Sequence, residues 1–149
     1  MSHRESIVKN MIAVLEDMTP PRPVFVSREP VSLDKLSIAQ FPAVVIQATN
    51  ETREDNAMGG KRRGILEVEI RVYVRSDGRK GMTQTVDEKR NDLIERIEEA
   101  LNSDRTRELN AAQASTTHIT EIEVIERDPP LGEFVMTAEV HYSFSKGAL

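Results

Sequence analysis

Residues 65–75, Ile-Leu-Glu-Val-Glu-Ile-Arg-Val-Tyr-Val-Arg, alternate with a period of two along their whole length. Leu66, Val68, Ile70, Val72 and Val74 fall on one side. Glu67, Glu69, Arg71, Tyr73 and Arg75 fall on the other. Successive side chains of a strand point to opposite faces, so this segment reads as a strand with one buried and one charged face. The chain must therefore supply partner strands and an apolar cover for one face of the sheet.

Both can be found around it. Residues 5–18 carry Ile7, Met11, Leu15 and Met18 at helical spacing, flanked by Ile12 and Val14. Ser2 or Ser6 is placed to cap this helix, and Thr19-Pro20-Pro21 ends it. Val24-Phe25-Val26 lies between Pro23 and Pro30, which suits an edge strand or a linker. Ser32–Leu36 has room for one helical turn, and Ala43–Ala48 reads as a short strand. Residues 50–64 then hold early acids, Gly59-Gly60 and the bases Lys61, Arg62 and Arg63. This is long for a hairpin connection, and it reads as a charged loop or arm.

After the 65–75 strand, Ser76–Gly81 reads as a turn. A second helix follows over about 83–102, with Thr85 as its cap and Glu88 in capping-box position. Val86, Leu93, Ile94, Ile97 and Leu101 form its apolar stripe. Residues 103–116 read as a loop or a frayed helical tail. A closing hairpin pairs 117–127 with 133–145, and Phe134, Met136, Ala138, Val140, Tyr142 and Phe144 share its inner face. Ile122 and Val124 are their partners, since a slip of one residue would turn every apolar side chain outward. The outer face then carries Glu121, Glu123, Thr137, Glu139 and His141, which join Glu67, Glu69 and Arg71 in a wet, mostly acidic surface. The expected fold is two-layer α+β, an antiparallel or mixed sheet with two helices packed on one face, in a single domain over 1–149.

Composition narrows the function classes. A net charge of -5 provides no general attraction for nucleic acid. The absence of cysteine excludes disulfides, thiol nucleophiles and thiolate metal sites. Aromatics at 4% without tryptophan make a stacking platform for bases implausible. No apolar run reaches the roughly 20 residues that span a bilayer, and the first residues lack the apolar core of a signal peptide. Synthesis and folding in the cytoplasm are the expectation.

Chemical motifs are sparse. There is no His-Glu-x-x-His, no Gly-x-Ser-x-Gly and no phosphate loop, because Gly59-Gly60-Lys61-Arg62 opens a strand and not a helix. In the simple alternating register His118 and His141 project from opposite faces of the hairpin, which argues against a shared metal. The arm residues Arg53, Glu54, Asp55, Lys61, Arg62 and Arg63 are a solvated hairpin tip, an arm whose basic end docks on an acidic patch of a neighbouring subunit, or a direct contact with nucleic acid. Glu67, Glu69, Arg71, Glu121, Glu123 and Glu139 are either an ordinary solvent face or the lining of a channel that repels a passing polyanion. Neighbouring carboxylates such as Glu67 and Glu69 could serve acid–base chemistry, but no pocket that would raise a pKa is evident.

In this order of elements the chain resembles the tail terminator (tail completion) proteins of tailed bacteriophages. The resemblance runs through the helix Glu5–Met18, the Phe41-Pro42-Ala43-Val44-Val45-Ile46 strand and the charged segment 50–64. It continues through Glu67–Val74, the helix 85–101 and the hairpin ending in Val140-His141-Tyr142-Ser143-Phe144. It implies a homo-oligomeric ring, typically a hexamer, stacked on the last ring of the tail tube protein and receiving a head-completion or neck protein above. It implies a virion location in the tail and neck, with DNA passing through the channel without specific binding. No catalysis, cofactor, metal or membrane is implied, and 50–64 would be the family's hairpin arm. The competing expectation is a small, dimeric α+β binding or regulatory module that recognises a small ligand or protein partner.

Overall fold

The computed structural model describes residues 3–55, 61–76, 85–103 and 116–145. Its elements in chain order are α1 (His3–Glu16), β1 (Phe25–Ser27), β2 (Ala43–Asp55), β3 (Lys61–Arg75), α2 (Val86–Ser103), β4 (Thr116–Ile125) and β5 (Leu131–Ser145). Short 3-10 turns at Leu33–Lys35 and Ile38–Gln40 join β1 to β2. The five strands form one mixed sheet in the order β1-β2-β3-β5-β4. β1 runs parallel to β2 and every other pairing is antiparallel. The α+β expectation holds, and both helices cover the same face.

The core follows from the two periodicities. Ile7, Met11, Leu15 and Met18 from the first helical stripe, and Leu93, Ile97 and Leu101 from the second, are all buried. They meet Val44 and Ile46 of β2, Leu66 through Val74 of β3, and Phe134 through Tyr142 of β5 in one cluster. The α2 cap forms as expected: Glu88 N–H donates to Thr85 Oγ1 at 3.2 Å. That bond satisfies one of the amides a helix start leaves open. α2 begins at Val86, and positions 83 and 84 lie outside the described residues, as do Ser2, residues 77–81 and 104–115. α1 ends at Glu16, two residues before the expected Met18, although Met18 still packs in the core.

Three expectations are corrected. The segment 50–64 is mostly ladder and not loop, because β2 runs on to Asp55 and β3 starts at Lys61, with pairs from Glu51↔Leu66 to Asp55↔Arg62. Charged side chains are as compatible with exposed strand ends as with a loop, so composition alone hid these strands, and β5 pairs with β3 out to Lys61↔Ser145. Second, the outer face is not wet throughout. Val31, Leu33, Leu36 and Phe41 fold over its β1 end and pack on Ala43, Val45 and Tyr73, leaving Tyr73 buried. Third, His118 and His141 share a face, with ring centroids 5.3 Å apart and edge-on. The register shifts between Ile119 and Glu121, so one extra residue in β4 reverses the direction of every side chain before it.

Candidate functional site

The sheet register sets the outer face out in rows. Glu67 stands opposite Glu139, which stands opposite His118. In the next row Glu69, Thr137 and Glu121 lie side by side, and in the third Arg71, Val135 and Glu123. All six residues expected on this face thus fall in three adjacent rows, five carboxylates against one guanidinium. Carboxylates directly opposite across antiparallel strands repel, as Glu67 and Glu139 do here. A negative potential over this face is the consequence.

The face changes sign toward its ends. Arg71 turns to Glu133, whose side chain is fully buried, and also bonds Glu69 at 3.1 Å. Arg127 holds the other Glu133 oxygen from Nε at 2.8 Å. For Arg71, burial works against the charge, but the Glu133 hydrogen bond and charge outweigh it and raise its pKa. At the arm end Arg63 donates to His141 Nδ1, while His141 Nε2 lies 3.3 Å from Glu139. Glu133 was not among the residues singled out from the sequence. Its alternation parity put it on this face, but nothing local showed that two arginines would close over it.

A second bulge lies in β2 between Ala48 and Glu51 and again reverses the side-chain alternation. Glu51 therefore points to the helix side, where its side chain is 5% exposed. It accepts from Tyr142 Oη at 2.8 Å and from Arg53 Nε at 2.5 Å, and it lies 3.6 Å from Arg4 of α1. Arg4 also donates to the Thr49 carbonyl at 2.8 Å. Burial, then the hydrogen bond to Glu51, pushes the Tyr142 hydroxyl well above the usual phenol range. These residues clasp the base of the arm to α1 and β5. The sequence signal was present in Gly64: it is the register partner of Tyr142, and a Cβ there would lie 2.7 Å from the tyrosine ring.

Of the arm residues, Arg53 and Arg62 leave the ladder on the helix side, while Glu54 and Arg63 leave on the carboxylate side. Asp55 and Lys61 are placed by their backbone pairing at the outer end of the ribbon. The structure therefore unites the carboxylate set on one surface but divides the arm set between two.

Neither a protein-family model nor a curated protein matches this sequence. The remaining functional observations are geometric. A cleft of about 220 Å³ lies between α2 and the end of β3, lined by Pro21, Pro42, Val74, Arg75, Lys89, Asp92 and Leu93. Among the described residues no group of three or more His, Asp or Glu is placed to hold a metal. No helix among them is long and apolar enough to cross a membrane.

Proposed function

We propose that this chain is the repeating subunit of a homo-oligomeric ring, six copies by the family resemblance. The ring caps the tail tube of a bacteriophage and joins it to the head-neck connector. The observation that carries the reading is the three-row carboxylate face with a charged arm, built from the ends of β2, β3 and β5, rising beside it. Lining a channel, such a face keeps duplex DNA from adhering as it passes, because phosphate meets like charge on every copy. The arm, extending beyond the core on a hydrogen-bonded ladder, suits a reach toward a neighbouring copy or a stacked ring. In this reading the protein is a non-catalytic part of the virion neck, made in the host cytoplasm, with the tail tube protein below and a head-completion protein above.

A dimeric small-molecule binder is the weaker reading. Its ligand would use the cleft beside Arg75 and Lys89, yet that space falls short of the roughly 300 Å³ at which ordinary ligand pockets begin. Native mass spectrometry with electron micrographs of the purified protein tests the proposal. The expected result is a closed ring with a central hole. A strict monomer or dimer at high concentration refutes it.

A further inference from the structure

His141 sits between two neighbours of opposite charge. A guanidinium has donors only, so His141 Nδ1 must accept the hydrogen bond from Arg63 Nη2 and cannot itself carry a proton. The ring proton is then on Nε2, which faces Glu139 Oε1 at 3.3 Å. Neutral His141 therefore ties the arm, through Arg63, to the carboxylate rows, through Glu139. His118 stands directly across from Glu139 and meets the His141 ring edge-on, with centroids 5.3 Å apart. The charged groups that face the pair are Arg63 and Glu67 on β3, Glu139 on β5 and Glu121 further along β4. Glu54 on β2 completes the set as the cross-strand partner of Arg63. Both helices cover the opposite face of the sheet.

Protonation breaks one of the two contacts and strengthens the other. With a proton on Nδ1, the ring sets donor against donor and cation against cation at Arg63. Nε2–H meanwhile gains a charge-assisted bond to Glu139. Imidazole is the side chain that ordinarily changes charge between roughly pH 5 and pH 8. We propose that His141 is a pH-operated latch at the arm base, closed on Arg63 when neutral and released when protonated, with His118 as a second imidazole in the same site. On release Arg63 turns from the β5 side to Glu54 on the β2 side, so the guanidinium has an acceptor in both states. Charge on the two imidazoles also offsets part of the negative potential of the rows. The latch goes beyond the ring reading and does not depend on it, because all its groups belong to one chain.

An NMR titration of the full chain with 13C-labelled histidine, from about pH 8.5 to 5, tests it. The sequence holds three histidines, so substitutions at His3 and His118 leave the His141 signal assigned. Arg63→Gln removes the cation that opposes protonation, so His141 should titrate at higher pH by roughly half a unit or more. Glu139→Gln removes the anion that favours it and should move the midpoint down by a similar amount. Neither side chain is buried, and Glu139→Gln also relieves the repulsion with Glu67, so both variants should fold, which circular dichroism melts verify. The Arg63 Nε–H signal should gain motion as the wild type passes through the His141 midpoint. In His141→Phe, which keeps a ring but no acceptor, it should be loose at every pH. A His141 midpoint that stays in place in either variant overturns the latch, as does an Arg63 signal whose relaxation is unchanged across the titration. Should Arg63→Gln melt early, Arg63→Met keeps the apolar stem and reads the same shift. A closed ring without these shifts leaves the ring reading standing, and a monomer that shows them leaves the latch standing.

Discussion

A methyl group at position 64 would collide with the ring of Tyr142. The ring cannot easily retreat, since it is buried and its hydroxyl is held by Glu51. Gly64→Ala should cost about 1–3 kcal/mol, the usual range for forcing extra volume into packed surroundings. Chemical denaturation measures it, and an unchanged midpoint would mean that the ring is not fixed over this glycine. Tyr142→Phe keeps the ring and removes the hydroxyl, so at neutral pH the loss should be about 1 kcal/mol. The pH dependence then follows from the direction of the shift. The folded-state pKa lies above the ordinary value of 10.0, so the stabilisation is fully present below pH 10 and fades as pH rises toward the folded value. Tyr142→Phe should flatten that alkaline decline. Part of it should persist, because burial and then the nearby Glu133 charge raise Tyr73 as well. An equally steep decline in the variant would assign the alkaline loss to other groups.

At the scale of elements, what the sequence revealed depended on whether the signal was local. α2 was legible because Thr85, Glu88 and the Leu93–Ile97–Leu101 stripe all lie within one helix. Thr85→Ala should lower stability by about 1 kcal/mol, and a thermal melt that does not move would deny the cap. β3 and β5 were legible because their alternation is unbroken. The two bulges were not. Thr116-Thr-His-Ile-Thr-Glu121 is polar enough on either parity that the extra residue in β4 leaves no pattern, and only pairing with β5 reveals it. The clasp at Glu51 was hidden for the same reason, since a bulge two residues earlier reverses where Glu51 points. The cover over Tyr73 comes from Val31, Leu33, Leu36 and Phe41, whose spacing matches neither a helix nor a strand. Of the candidate residues, the carboxylates of the face were therefore found together. Glu51, Glu133 and Tyr142 in its polar role were missed because their partners are distant in sequence.

For the whole molecule the arm decides how far the assembly reading reaches. Arg53 and Gly64 are cross-strand partners, so replacing residues 54–63 with Asn-Gly joins them through a two-residue turn of the kind that favours a tight hairpin. The core and the Tyr142–Glu51 clasp are left in place, but β5 loses its β3 partners at Ser143–Ser145, so the melting temperature should fall modestly. Association should change more. If the arm's charges reach a neighbouring copy, shortening it should raise the dissociation constant by roughly tenfold, as removal of a charged contact at an interface does. The wild-type assembly should also weaken as salt rises from about 0.05 to 0.5 M, where exposed charge pairs are progressively screened, while the shortened chain should respond less. Sedimentation across that salt series reads both effects. Equal affinity and equal salt response in the two proteins would remove the arm from any contact between copies.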